Sequence, residues 1–186
     1  LFRSGNAGTA EMAENLPLAA EDLEGIQSWA VRERPDLVVV GPEVPLCAGL
    51  ADRLTAAGLR VFGPNRAAAE LEGSKIFSKA VMEAAGVPTA RSAVYTDPAA
   101  ALAGIRAMGL PVVIKADGLA AGKGVAICQS EDEVERAVRE CLVEGVFGDA
   151  GKRLLAEEYL EGEEASVLAF VDGRQAVLMA SAQDHK

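Results

Sequence analysis

The residues with the clearest chemical potential run Val113-Ile114-Lys115-Ala116-Asp117-Gly118-Leu119-Ala120-Ala121-Gly122-Lys123-Gly124-Val125. An apolar strand pattern delivers Lys115 into a loop of small residues that carries Lys123. Glycines at 118, 122 and 124 let backbone N–H groups turn toward an anion with no Cβ in the way, and the ammonium groups add point charges suited to a polyphosphate. The loop alone also reads as a Gly-Ala turn between two strands with its lysines in water.

Neither of the common nucleotide motifs fits. Gly118 to Gly122 is one residue short of a P-loop, and Gly124 stands where that motif needs a hydroxyl for Mg²⁺. A dinucleotide fingerprint would put its third glycine at Ile127 and open a helix, whereas Val125, Ala126, Ile127 and Cys128 form another apolar, β-prone run. Strand, glycine loop and strand make a hairpin flap, which can close over phosphates and exclude water.

A second cation, Lys75, follows Ser74, whose side chain suits a helix N-cap. Ile76, Phe77, Ala80, Val81 and Ala84 are spaced as that helix's apolar face. A first-turn lysine opposes the helix dipole, but the position suits a cation that meets a phosphate at the same helix start. Lys79 lies a turn further on and is expected to matter less to a nucleotide than Lys115. Then Glu157, Glu158, Glu161, Glu163 and Glu164 cluster around Gly162, between the apolar runs Leu154-Leu155-Ala156 and Val167-Leu168-Ala169-Phe170-Val171. Acidic runs are usually solvated turns. Flanked by two strands, this one reads as a crossing between sheet layers, where free backbone groups face a purine edge and carboxylates accept from an exocyclic amine and ribose hydroxyls.

The elements that must position these groups read as α/β. The spacing of Leu23, Ile26 and Ala30 predicts a helix over residues 21–34, closed by Pro35, and residues 37–40 predict a fully buried parallel strand. A loop over residues 41–45, a helix over 46–57, a stop at Gly58 and a short strand at 60–62 continue a βαβ-style unit. Glu43 lies just past a strand's carboxyl end, where α/β sheets bind ligands; it also reads as a solvated loop residue. Further on, a strand at 93–95, a helix over 98–108, strands at 112–116 and 125–128 and a helix capped by Ser130 predict two helices on a small antiparallel sheet. Gly145, Gly148 and Gly151 read as a connection.

Composition sets the bounds. With 186 residues, half of them hydrophobic and only 4% aromatic, the chain can build a sizeable core with tight helix-on-sheet packing. A net charge of −10 argues against nucleic acid and anionic membranes as partners. An anionic nucleotide is still compatible, because screening confines the global field to about 8 Å. Cys47, Cys128 and Cys141 show neither a disulfide framework nor a zinc pattern, which fits a reducing cytoplasm. No apolar run approaches a membrane span and no signal peptide is visible. The start at Leu1 and the end at Lys186 inside a polar run suggest a piece of a longer chain. Nothing here bears on oligomeric state.

Taken in order, Leu71-Glu72-Gly73-Ser74-Lys75, the 113–124 run, the Glu157 to Glu164 segment and Ala182-Gln183-Asp184-His185-Lys186 resemble the ATP-grasp enzymes, closest to the phosphoribosylamine-glycine ligase family of purine biosynthesis. Gly5-Asn6-Ala7-Gly8-Thr9-Ala10 and Gly41-Pro42-Glu43 are similar to that family's amino-terminal domain, so the resemblance spans nearly the whole chain. It implies a partial Rossmann-like (pre-ATP-grasp) domain over residues 1–70 followed by the first part of an ATP-grasp fold over 71–186, with a small lid over about 92–160. The implied activity is ATP-dependent joining of glycine to phosphoribosylamine through a glycyl phosphate. Lys75 and Lys115 would contact the α- and β-phosphates, and Gly118, Gly122, Lys123 and Gly124 would close over the transferring group. Glu157, with Tyr159 and the backbone of Glu158 and Leu160, would hold adenine, while Glu164 would bind the ribose. Asp184 and Lys186, and Glu43 with them, would serve the small substrates, with Lys115, Asp184 and Lys186 in the catalytic roles. Mg²⁺ or Mn²⁺ would be held by carboxylates beyond Lys186, and the opening phosphate-binding glycine loop would precede Leu1. The 186-residue stretch alone is therefore expected to bind adenine nucleotide weakly and not to ligate. Another ATP-grasp carboxylate-amine ligase and a non-catalytic nucleotide-binding module are the competing readings.

Overall fold

The computed structural model describes residues 2–3, 7–120 and 124–183. The chain opens with β1 (Phe2–Arg3), α1 (Ala7–Ala10) and β2 (Asn15–Leu16), β1 and β2 being parallel. Helix α2 (Leu23–Glu33) begins where the Asp22 carboxylate accepts from the Gly25 N–H, and it ends at Arg34, whose left-handed φ of 50° breaks the repeat before Pro35. Strand β3 (Val38–Val39) pairs in parallel with β4 (Val61–Phe62). Between them run α3 (Glu43–Cys47) and α4 (Leu50–Ala56), and α5 (Arg66–Gly73) follows β4. Ile26, Ala30, Val40, Leu46, Leu50 and Leu54 share one core.

Three expectations for this part need correcting. The run at residues 37–40 is not buried throughout. Val40 is inside, but Leu37 and Val39 are 56% and 64% exposed, because the described elements cover one face of β3 and the pleat sends alternate residues to the other. Residues 43–56 form two helices rather than a loop and a helix. Pro45 is tolerated in the first turn of α3, and Gly49, at φ +87°, separates α3 from α4. Helix α5 was not anticipated, although Asn65 was a readable signal: its side chain accepts from the Ala68 N–H.

The second half is a helix and a sheet with two helices behind it. Helix α6 (Lys75–Ala84) leads to β5 (Ser92–Tyr95), α7 (Pro98–Met108), β6 (Val112–Ala116) and β7 (Val125–Cys128). Helix α8 (Glu131–Leu142) carries a complete capping box between Ser130 and Glu133, and a 3-10 turn (Gly148–Lys152) connects it to β8 (Leu154–Glu158). The four strands form an antiparallel sheet in the order β5-β8-β6-β7. A hairpin of β9 (Ala169–Val171) and β10 (Ala176–Leu178) follows, shorter than the run 167–171 that had been expected to form its first strand, and Phe170 packs its ring 5.8 Å from that of Phe62.

Alternation along the two central strands decides what faces where. Val112, Ile114 and Ala116 of β6 and Leu154 and Ala156 of β8 enter the core with Ala101, Ile105, Val134 and Val138 of the two helices. Register pairs Val113 with Glu157 and Lys115 with Leu155, so these four side chains share the opposite face. Helix α6 covers that face with an unexpected residue. The spacing predicted Ile76, Phe77, Ala80, Val81 and Ala84 as the buried stripe, yet Ala80, Val81 and Ala84 are exposed and the buried residue is Lys79, 5% exposed. A carboxylate on the sheet supplies the reason, as described below. Truncating the fully buried Leu154 to Ala should cost about 2–5 kcal/mol in urea unfolding. Val81→Ala should stay within about 0.5 kcal/mol, because its side chain already meets water.

Candidate functional site

The site begins at the junction of α5, α6 and the end of β6. The Ser74 hydroxyl caps α6 by accepting from the Phe77 N–H at 3.1 Å, and it donates to the Asp117 carboxylate at 2.9 Å. The same carboxylate accepts from the Ile76 N–H at 3.1 Å and pairs with Arg153 at 2.5 Å. Asp117, buried, therefore ties the helix start to the carboxyl end of β6 and to the approach to β8. It also occupies the helix's positive end, which had been expected to meet a phosphate. The Lys75 side chain reaches out from this turn, and its ammonium donates to the Gly118 carbonyl at 2.7 Å.

Two glycines of the loop are required by space. Gly118 has φ +118°, and a Cβ there would stand 3.1 Å from the Ala150 Cβ. A Cβ on Gly124 would stand 2.6 Å from the Ala120 Cβ, at the point where the Gly124 carbonyl accepts from the Ala116 N–H at 2.8 Å. Both hold the loop stem narrow. Gly122 and Lys123, expected in the same phosphate loop, lie outside the described residues, as do Asp184 and Lys186.

On the α6-facing side of the sheet, Glu157 accepts from two lysines. Lys115 approaches one carboxylate oxygen at 2.5 Å and Lys79 the other at 2.7 Å. Lys79 also donates to the Thr89 hydroxyl at 2.6 Å and the Ala90 carbonyl at 2.7 Å. Its side chain is 7% exposed, that of Glu157 9% and that of Lys115 28%. Burial pushes the Glu157 carboxyl up, but the hydrogen bonds and charges of Lys115 and Lys79 outweigh it and hold the group below its ordinary 4.5. A cleft of about 280 Å³ opens here, lined by Lys75, Lys79, Lys115, Glu157, Leu155 and Met82 among others.

The sequence-derived residues thus divide. Lys75, Lys115, Gly118 and Glu157 come together, and two residues given no place in the site, Lys79, expected to matter less than Lys115, and Asp117, join them. Their signal was burial in a pattern of period two and an i, i+4 step from Lys75, both invisible until the partner strand is known. Glu158 turns its carboxylate to Arg91 at 2.7 Å, and its N–H donates to the Arg91 carbonyl, so that N–H is already used. Tyr159 and Leu160 follow the strand end with much of their surface exposed, and Glu164 is exposed beyond them. Glu43 is an exposed first-turn residue of α3 and does not line the cleft. Among the described residues no group of three His, Cys, Asp or Glu could hold a metal ion, and no helix is long and apolar enough to cross a membrane.

The depressed Glu157 group has a pH consequence. Its contribution to stability is complete above pH 4.5 and is lost as pH falls through its lower folded-state value. In urea titrations from about pH 6 to 3, the unsubstituted protein should lose stability more steeply than Glu157→Gln, which has no proton to take up there. Parallel curves would show that the carboxylate is not held by the two lysines.

Residues 1–72 match the family model for the N domain of phosphoribosylglycinamide synthetase, and residues 73–186 match that for its ATP-grasp (A) domain. The chain is 53% identical over 184 residues to a phosphoribosylamine-glycine ligase of Xylella fastidiosa, covering 98% of this chain and 43% of that protein. The chain thus spans less than half the length of that relative. The crystal structure of a phosphoribosylamine-glycine ligase from Thermotoga maritima superposes with a TM-score of 0.79 at 30% identity, over 97% of this chain and 42% of the other. The biotin carboxylase domain of a Hydrogenobacter thermophilus 2-oxoglutarate carboxylase, crystallised with MgADP and bicarbonate, superposes with a TM-score of 0.69 at 26% identity, over 84% and 37%. The fold is therefore an α/β amino-terminal part followed by the first part of an ATP-grasp fold, and the chain belongs to the phosphoribosylglycinamide synthetase family.

Proposed function

We propose that the protein carrying this chain uses ATP to join glycine to phosphoribosylamine, giving glycinamide ribonucleotide, ADP and phosphate by way of a glycyl phosphate, in purine biosynthesis in the cytoplasm. The observation that carries this reading is the convergence of Lys75, Lys115 and the Gly118 end of the glycine loop on one cleft beside Glu157. Membership of the ligase family supplies the substrates. Residues 1–70 would be the amino-terminal substrate domain and 71–186 the ATP-grasp region, with the lid subdomain over about 92–160.

The chemistry asks little of the protein beyond placement and charge. Phosphoryl transfer to a carboxylate is helped mainly by in-line positioning and by cations that meet the charge on the transferring group. Lys75 and Lys115 would contact the α- and β-phosphates. The loop with Gly118, Gly122, Lys123 and Gly124 would close over the γ-phosphoryl and keep water away from the glycyl phosphate. Adenine would lie against Glu157, Tyr159 and the backbone of Glu158 and Leu160. At Glu158 that contact would fall to groups other than its N–H, which Arg91 already engages. Glu164 would hold the ribose, and Asp184, Lys186 and Glu43 would serve the phosphoribosylamine and glycine side. Mg²⁺ or Mn²⁺ would neutralise the phosphates, with ligands that the described residues do not provide.

The test is release of ADP by the full-length protein. Release should require glycine and phosphoribosylamine together and should not be supported by other small carboxylic acids. Release driven by a different acid would point to another ATP-grasp ligase, and ATP binding without phosphate release to a non-catalytic module. Lys115→Ala should weaken ATP binding on the order of tenfold or more, since it removes the partly exposed cation of the cleft. Titration calorimetry with ATP checks this, and an unchanged affinity would remove Lys115 from the phosphate site.

A further inference from the structure

Lys79 has no assigned work, yet it is the most enclosed cation of the cleft. Its three N–H groups are all engaged, by Thr89, Ala90 and Glu157, and its side chain is 7% exposed. No donor remains for a ligand, so Lys79 cannot bind phosphate directly. Its influence must pass through Glu157. One carboxylate lies between two ammonium groups, which leaves one positive charge in excess. The Lys79 side chain is enclosed between α6 and the sheet, so the excess surfaces at Lys115, the member of the triad with 28% of its side chain exposed.

We propose that Lys79 is a positioning residue of the nucleotide site: by occupying one oxygen of Glu157 it keeps that carboxylate from neutralising Lys115, and so preserves a cation for the polyphosphate. The proposal rests on the nucleotide-binding reading above. Without Lys79, Glu157 and Lys115 would form a closed pair of zero net charge, with the carboxylate free to turn toward Lys115. A phosphate would then compete with that carboxylate for the ammonium. Adenosine carries no phosphate and shares with ATP only the base and ribose contacts, so any change at Glu157 that touches adenine would act on both ligands alike and leave the preference between them unaltered.

The experiment compares the affinities of ATP and adenosine, by calorimetry on the full-length protein, for the unsubstituted chain, Lys79→Met and Lys79→Met/Glu157→Gln. Lys79→Met should lower the preference for ATP over adenosine on the order of tenfold. The double substitution also removes the competing carboxylate charge, and it should return the preference to the unsubstituted level or above. A purely structural role for Lys79 would instead weaken both ligands alike and make the double variant no better than the single one; either result overturns the proposal. Should Lys79→Met fail to fold, the double variant carries the test by itself, since a preference below that of the unsubstituted protein would also overturn it. If the unsubstituted protein binds neither ligand, the nucleotide-binding reading fails and this proposal with it. Binding with an unaltered preference in Lys79→Met defeats this proposal alone.

Discussion

The Glu157 carboxylate, held at 2.5 Å by Lys115 and at 2.7 Å by Lys79, is the contact on which the rest of the site depends. A carboxylate this far from water is tolerated only with partners, and removing one partner of a buried ion pair costs about 3–5 kcal/mol. One partner comes from α6 and the other from β6, so the charge requirement of a single β8 side chain fixes how the helix lies on the sheet. An apolar stripe would have allowed α6 to roll. Three polar groups with defined directions do not, and this accounts for a helix whose only buried residue is a lysine.

Asp117 does the same work one turn away. It joins the Ser74 hydroxyl, the Ile76 N–H and Arg153, so the start of α6, the end of β6 and the entry to β8 meet on one carboxylate. Lys115 and Asp117 are two residues apart, and the pleat sends both toward α6. The helix start is thereby satisfied by the protein itself, and Lys75 donates to the loop carbonyl at Gly118. The positive charge lining this cleft therefore resides on ammonium groups and not on the helix dipole.

This arrangement explains how a chain of net charge −10 can present a cationic cleft. The acidic excess is largely on exposed surfaces, while the cleft is lined by Lys75, Lys79 and Lys115 against the carboxylates of Glu72 and Glu157, so its lining is still cationic. At separations beyond about 8 Å salt screens the former, and at hydrogen-bond distance the latter dominates. A cationic cleft of this kind is what phosphoryl transfer in general asks of a protein, since that chemistry is helped chiefly by placement and by charge that meets the transferring group.

Much of this was legible in the residues. Ser74 and Ser130 marked helix starts because a short polar side chain can replace the missing acceptors there, and the structure has both of them capping. The glycine loop between β6 and β7, the helices on the antiparallel sheet and the family itself followed from local patterns and their order. Local patterns failed where burial depends on a distant partner. Leu37 and Val39 look like core residues yet face water, because exposure is decided by what covers the strand. Lys79 looks like a solvated helix residue but is buried, because its acceptors are 10, 11 and 78 residues further along the chain, at Thr89, Ala90 and Glu157. The sequence alone determined most of the longer helices and strands and the position of the glycine-rich loop between β6 and β7, since backbone propensity and capping act over a few residues. Tertiary structure decided which charges meet, because the pairing of β6 with β8 and the docking of α6 bring together side chains that no short-range rule connects.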